Sequence, residues 1–274
     1  MVKVVSWNTN ARRDAIQKLL EMDADVALLQ EVTVNGWKRL AGVGNGVAVT
    51  PYEPWLPWTQ GAYTRWPLVV KLSDRVQVEW FKYRLPVYWP KVDEFPVSGI
   101  GTIAVARVTP LSGQEPFIAV SMYGRWRPPH PSVGDQQWIH ADASAHRIIS
   151  DLSVFISHNP KNSTHRILAA GDLNMAFFGN FRSDARMQTV MNRMNALGLE
   201  YLGPRDSSGE NVPTYHTPRQ DPTTATTQFD HVFASQGFHD SIHVRAMNGA
   251  DEWGPSDHCR IVAEVSEAWL GLKD

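Results

Sequence analysis

Apolar residues follow two spacings along the chain: short unbroken or alternating runs that predict strands, and recurrences every three or four residues that predict helices. VKVVSWN (2–8) and DVALLQE (25–31) are runs of the first kind. Residues 11–22 between them carry an amphipathic stripe, giving a strand–helix–strand opening unit. From 46 to 126 the pattern changes to β-rich runs (GVAVT, LVVKLS, RVQVEWFKYRL, GIGTIAVARV, PFIAVSMYG) separated by Pro and Gly, as in antiparallel meanders. A longer helix is predicted over 137–157, with Ile139, Ile148, Ile149, Leu152 and Phe155 on its buried face. HRILAAG then predicts a strand over 166–171, followed by a helix near 184–197 and strands near 213–217, 228–235, 240–247 and 258–265. The turn-rich stretch 203–227 reads as a functional or mobile loop and not as a domain boundary. The order implies an α/β fold of two packed sheets flanked by helices. No linker, repeat or low-complexity segment divides it, so residues 1–274 are expected to form a single domain.

Composition narrows the picture by exclusion. With 26 basic and 28 acidic residues the net charge is −2, so any basic groove for nucleic acid must be local. One cysteine, Cys259, excludes an internal disulfide framework and fits a reducing compartment. The N-terminus lacks a signal-peptide apolar core and no run reaches membrane-spanning length, so a cytoplasmic protein without a membrane span is expected. The sequon Asn162-Ser163-Thr164 is then inert. GVGNG (42–46) lacks the Gly-Lys-Ser/Thr ending of a phosphate loop and reads as a turn. His140, Asp142 and His146 do not share a helix face at metal-ligand spacing and read as solvated surface.

The candidate chemistry sits at strand ends. LAAGDLN ends an apolar run with Asp172 and Asn174, two apart and therefore on one side if the strand persists. Asn8 closes the first strand, Glu31 the second, Asp230 lies in QFDHVFAS, and Asp257 and His258 open the last strand. Each has a structural reading: Asn8 as a helix cap, Glu31 as a solvated strand end, Asp257 as a turn cap, His258 as a half-buried strand histidine. Together they offer carboxylates for a hard cation and for a water, amides for phosphate oxygens, and a histidine with a carboxylate partner.

The motifs SWN (6–8), LLQE (28–31), GDLN (171–174), FDHV (229–232) and SDH (256–258) resemble, in order, those of the endonuclease/exonuclease/phosphatase superfamily. The resemblance implies a four-layered DNase I-like sandwich, two mainly antiparallel or mixed sheets flanked by helices. It also implies a phosphodiester hydrolase using Mg²⁺, with Mn²⁺ as a substitute. It makes Glu31 the principal metal ligand with Asn8 beside it, and puts Asp257 near the metal or its waters. Asp172 would activate water, Asn174 would hold a phosphate oxygen or that water, and His258, fixed by Asp230, would touch the scissile phosphate. Tyr123 in AVSMYGRW matches a phosphate-facing tyrosine, or else packs. Asn10 stands where many nucleases of the family carry an Asp, which bears on the number and affinity of bound ions.

Substrate signals are local. Arg125, Trp126 and Arg127 put two cations around a stacking surface, and Tyr215 and Trp253 could stack bases. The expectation is a monomeric nuclease acting on DNA or RNA. The alternatives are a phosphatase of a small phosphorylated molecule or lipid headgroup, and a non-catalytic binding protein on the same scaffold.

Overall fold

A computed structural model describes residues 1–51, 64–99, 101–134, 139–157, 165–177 and 185–266. The chain opens with β1 (Val2–Asn8), α1 (Arg13–Leu20), β2 (Val26–Val32) and α2 (Val34–Ala41). It continues through β3 (Ala48–Val49), β4 (Trp66–Lys71), β5 (Val76–Trp80), β6 (Lys82–Arg84), β7 (Glu94–Pro96), β8 (Ile103–Pro110) and β9 (Phe117–Tyr123). After α3 (Asp142–Leu152) come β10 (Ile167–Asp172), α4 (Ala185–Ala196), β11 (Leu199–Gly203), β12 (Asp230–Ser235), β13 (Ile242–Met247) and β14 (Arg260–Val265).

Two six-stranded mixed sheets result, ordered β13-β14-β1-β2-β4-β3 and β11-β12-β10-β9-β8-β5. Side-chain alternation explains why they stack. In the first sheet Val4, Val26, Leu28, Val69, Ile261 and Ala263 face inward, against Ala106, Phe117, Ala119, Leu168, Ala170 and Val232 of the second. Their chain neighbours face outward: Val5, Trp7, Ala27, Leu29 and Val70 pack on Ala15, Ile16 and Leu19 of α1 and Leu40 of α2. On the other side Val105, Ile118, Val120, Ile167 and Phe233 pack on Ile148, Ile149 and Leu152 of α3 and Met194 of α4. Strands buried on both faces read as the near-continuous apolar runs of the sequence. The product is a four-layered sandwich.

The helices depend on this packing. α1 has no side-chain N-cap bond. A helix this short is marginal alone, and burying Ile16 and Leu19 contributes about 1.5–3 kcal/mol each. α2 is better started, since the Gly36 N–H donates to Thr33 Oγ1 at 3.2 Å.

Several sequence expectations are corrected. The predicted 137–157 helix is limited to α3 and a following 3₁₀ turn at Ser153–Phe155; residues 137 and 138 lie outside the described residues. Ile139 is 52% exposed, because the buried stripe starts at Ala141 and Ala145. RVQVEWFKYRL is not one strand: it breaks at Phe81, and β6 pairs parallel with β7. No strand spans 213–217; Tyr215 makes single bridges to Thr227 and His258. β11 (LEYLG) was not foreseen, since its central residues are only half-buried and alternate weakly. Asp142 is buried rather than solvated, between Arg186 Nε (2.8 Å) and His140 Nδ1 (2.7 Å). The sequon at 162–164 lies outside the described residues.

Candidate active site

Strand direction brings the polar ends together. β1 runs parallel to β2, and β9 parallel to β10, so each pair ends at the same edge of its sheet. β12 and β14 run antiparallel to their neighbours and begin at that edge. Within the second sheet Asp172 lies opposite both Tyr123 and Asp230, and directly opposed residues share a face. That face continues the inward rows Ser121–Ala119, Ala170–Leu168 and Val232–Ala234. Asn8 ends the inward row of β1.

Glu31 breaks this rule. Leu28 and Gln30 point inward, so strict alternation would turn Glu31 outward. The β2–β4 register slips between Leu29 and Val32, inserting one extra residue on β2, and Glu31 sits at φ 56°. A bulge of this kind re-aims one side chain. Here it turns Glu31 toward Asn8 and Tyr123. Asn10 (φ 45°), Ala11 (φ 59°) and Asn174 (φ 52°) share the left-handed conformation, and such outliers cluster where function fixes the backbone.

The contacts form one network. Asn8 Nδ2 donates to Asp172 Oδ2 (2.9 Å) and Glu31 Oε1 (3.3 Å), and the Tyr123 hydroxyl donates to Glu31 Oε1 (3.0 Å). The β10 strand ends at Asp172, so Asn174 is not aligned by alternation. Instead its N–H reaches Asp172 Oδ1 (2.7 Å), and its Nδ2 reaches Asp172 Oδ2 (3.0 Å) and Gly124 O (2.8 Å). His258 Nδ1 lies 2.8 Å from Asp230 Oδ2, and its Nε2 is 3.9 Å from Asp172 Oδ2. The Ser256 hydroxyl ties this segment to β1 by donating to Asn8 O at 2.7 Å.

Burial and charge set the protonation states. Complete burial pushes the Asp172 carboxyl up to about 7, with His258 pulling it back and Asp230 adding to the rise. Burial alone would drive the His258 imidazolium down, but Asp230 and Asp172 outweigh it and raise the group to about 10. His258 is therefore a cation at neutral pH. Burial, then Glu31 and Asp172, raise the Tyr123 hydroxyl, which keeps its proton.

The expected substrate-side residues divide. Trp126 is 49% exposed, meets Phe229 edge-on and, with Asn174, lines a cavity of about 70 Å³. The Tyr215 ring centroid is 4.9 Å from that of His258. Arg125 lies over the Tyr123 ring and donates to Gly101 O and Arg65 O, so it braces the site as well as charging it. Arg127 pairs its main chain with His140. Trp253 is a correction: at 2% exposure it packs in the core with its ring against His216 and offers no stacking face. Arg65, at the entry to β4, was missed; it forms an ion pair with Glu31 and donates to Asn10 Oδ1. An arginine before an ordinary apolar strand carries no signal of this in sequence.

Asn8, Glu31 and Asp172 place oxygen atoms of the kind a hard divalent cation takes within one hydrogen-bonded network. Glu31, Asp172 and Asp257 all act electrostatically on the Tyr215 hydroxyl. Asp230 Oδ1 is buried without a hydrogen-bond partner among the described residues. Ligating atoms of Asp172, Asp230 and His258 lie within 4.8 Å of one another. The carboxylates of this group, with Glu31 nearby, are oxygen donors of the kind a hard divalent cation takes.

A two-sheet sandwich whose strand ends converge on carboxylates, amides and a charged histidine defines a class of phosphoric-ester hydrolases. Residues 5–258 match the model of the Endonuclease/Exonuclease/phosphatase family, and the chain belongs to that family. It is a hydrolase acting on phosphoric esters, in a superfamily of metal-dependent nucleases, phosphodiesterases and phosphatases. No curated protein matches its sequence. Among solved structures it is similar to the AP endonuclease of Leishmania major (TM-score 0.65, 16% identity, covering 97% of this chain and 88% of that one). It is also similar to a 3′-5′ exonuclease from Neisseria meningitidis (TM-score 0.60, 17% identity, 97% and 100% covered). A mannosyl-6-phosphatase from Bacteroides thetaiotaomicron matches comparably (TM-score 0.58, 14% identity, 97% and 99% covered). No helix among the described residues is long and apolar enough to cross a membrane.

Proposed function

We propose that residues 1–274 are one catalytic domain, a Mg²⁺-dependent nuclease that hydrolyses a phosphodiester of DNA or RNA. The continuous network from Tyr123 and Glu31 through Asn8 and Asp172 to Asn174, with the His258–Asp230 pair beside it, carries this reading. Glu31 and Asn8 would hold the ion, with Asp257 near its waters; Mn²⁺ would substitute. The ion supplies charge stabilisation for the phosphoryl oxygens.

The protein's own groups do the rest. Asp172, aligned by Asn8 and Asn174, takes a proton from the attacking water as the water oxygen bonds to phosphorus. The bond from phosphorus to the leaving oxygen breaks, and that oxygen takes a proton from solvent. The His258 imidazolium, held by Asp230, donates to a non-bridging oxygen and stabilises charge as it develops. Asn174 and Tyr123 position the phosphoryl group. Trp126 and Tyr215 would offer surfaces on which bases stack, with Arg125 and Arg127 supplying positive charge. Two aromatic rings beside the network, both packed against Phe229, favour a polynucleotide. The second reading is a small phosphorylated molecule or lipid headgroup, supported by the comparable fold match to a sugar phosphatase. Retention of Asp172 and His258 speaks against a non-catalytic scaffold. The one free cysteine is buried, and we extend the proposal to a cytoplasmic monomer.

Side-by-side Mg²⁺-dependent hydrolysis of single- and double-stranded DNA, abasic DNA, RNA and inositol phosphates tests this. Turnover of a polynucleotide well above the small phosphoesters is expected. The reverse order would replace the nuclease reading with the second one.

A further inference from the structure

Every oxygen of Glu31 already has a donor. Oε1 accepts from the Tyr123 hydroxyl (3.0 Å) and from Asn8 Nδ2 (3.3 Å), and Oε2 is paired with Arg65 Nη1. The same guanidinium reaches Asn10 Oδ1 at 3.2 Å, a neutral contact, so among the described residues Glu31 is the carboxylate that answers its charge. We infer that Arg65 occupies the carboxylate oxygen a divalent ion would take, and so sets the metal affinity of the Glu31 site by competition. This rests on the reading of Glu31 as the metal ligand.

A guanidinium and a divalent cation on one carboxylate oxygen repel one another, so one must leave when the other binds. Arg65 can leave: its side chain is 45% exposed, against 14% for Glu31, and an exposed ion pair is weak enough to exchange. The main chain need not follow, because Arg65 O accepts from Arg125 Nη2 and β4 begins at the next residue. Tyr123 and Asn8 hold Oε1, so Glu31 keeps its aim while its partner changes. Arg65 is thus a positioning residue for Glu31 without the ion and a competitor for the ion.

The test is calorimetric titration of MnCl₂ into the metal-stripped full chain without substrate, for wild type, Arg65→Ala, Arg65→Gln, Arg65→Lys and Glu31→Gln. Removing the charge in Arg65→Ala and Arg65→Gln is expected to tighten binding roughly three- to tenfold, the scale of an exposed ion pair. Arg65→Lys keeps the charge and is expected to stay near wild type. Equal or weaker binding by both neutral variants, with Glu31→Gln impaired, overturns the competition and leaves Glu31 as the ligand. Wild-type affinity in Glu31→Gln overturns the ligand reading and the inference together.

Discussion

Asp230 Oδ2 sits 2.8 Å from His258 Nδ1, with both side chains almost wholly out of water, so the ring is oriented and charged by a carboxylate 28 residues earlier in the chain. Because His258 is raised to about 10, its proton is held across neutral pH and lost on the alkaline side. Asp230→Asn keeps an acceptor for the ring N–H but removes the opposite charge. The alkaline limb of the kcat/KM pH profile is expected to move toward acid by at least about one unit, with reduced activity at its plateau. An alkaline limb at the wild-type position would separate His258 from the rate.

Asp172 is fully buried and touched by Asn8 and Asn174. Asp172→Asn preserves its shape and removes the proton acceptor. Turnover of the best phosphodiester substrate is expected to fall by about 10²–10⁴-fold, with the circular dichroism spectrum unchanged. His258→Gln is expected to lose activity on a similar scale.

The glycine of GDLN is structural. Gly171 has φ 155°, and a Cβ there would sit 1.9 Å from Met122 O in the adjacent strand. Backbone of a central strand cannot step aside, so Gly171→Ala is expected to cost about 3 kcal/mol or more in urea unfolding. Gly113→Ala is the control: its φ is also positive, at 91°, but the space is open, so only backbone strain of about 1 kcal/mol is expected.

His231 tests the core rather than the chemistry. It is fully buried, with Nε2 2.7 Å from Met175 O, and burial lowers it to about 4. Between about pH 6.5 and 4 the unfolded histidine takes a proton that the folded one refuses, so stability is full above this window and lost as pH falls through it. At pH 5 the loss is about 2 kcal/mol relative to pH 7.5. A non-titrating His231→Gln variant is expected to lack this component, so its unfolding free energy falls less over the same range.

Local pattern was enough to place most strands and the polar residues at their ends. Asp172 and Asp230 each extend an apolar row by two, Asn8 and Tyr123 follow Ser6 and Ser121 on theirs, and the period of a strand carries that information within one segment. Ordered motifs spanning 6–258 were enough for the family. What sequence could not contain was anything set between segments. Glu31 reaches the site only because the β2–β4 register slips at the end of the strand. Asn174 returns to Asp172 after the strand has ended, through a left-handed backbone. Trp253 looked like Trp126 as an aromatic near the motifs, yet one is core and the other rim, because burial depends on what packs above a residue rather than on its neighbours in the chain. Arg65 lies 34 residues from the carboxylate it pairs with. Strand alternation is local and can be read from letters; register, burial and ion pairing are relations between distant segments, and only the folded chain decides them.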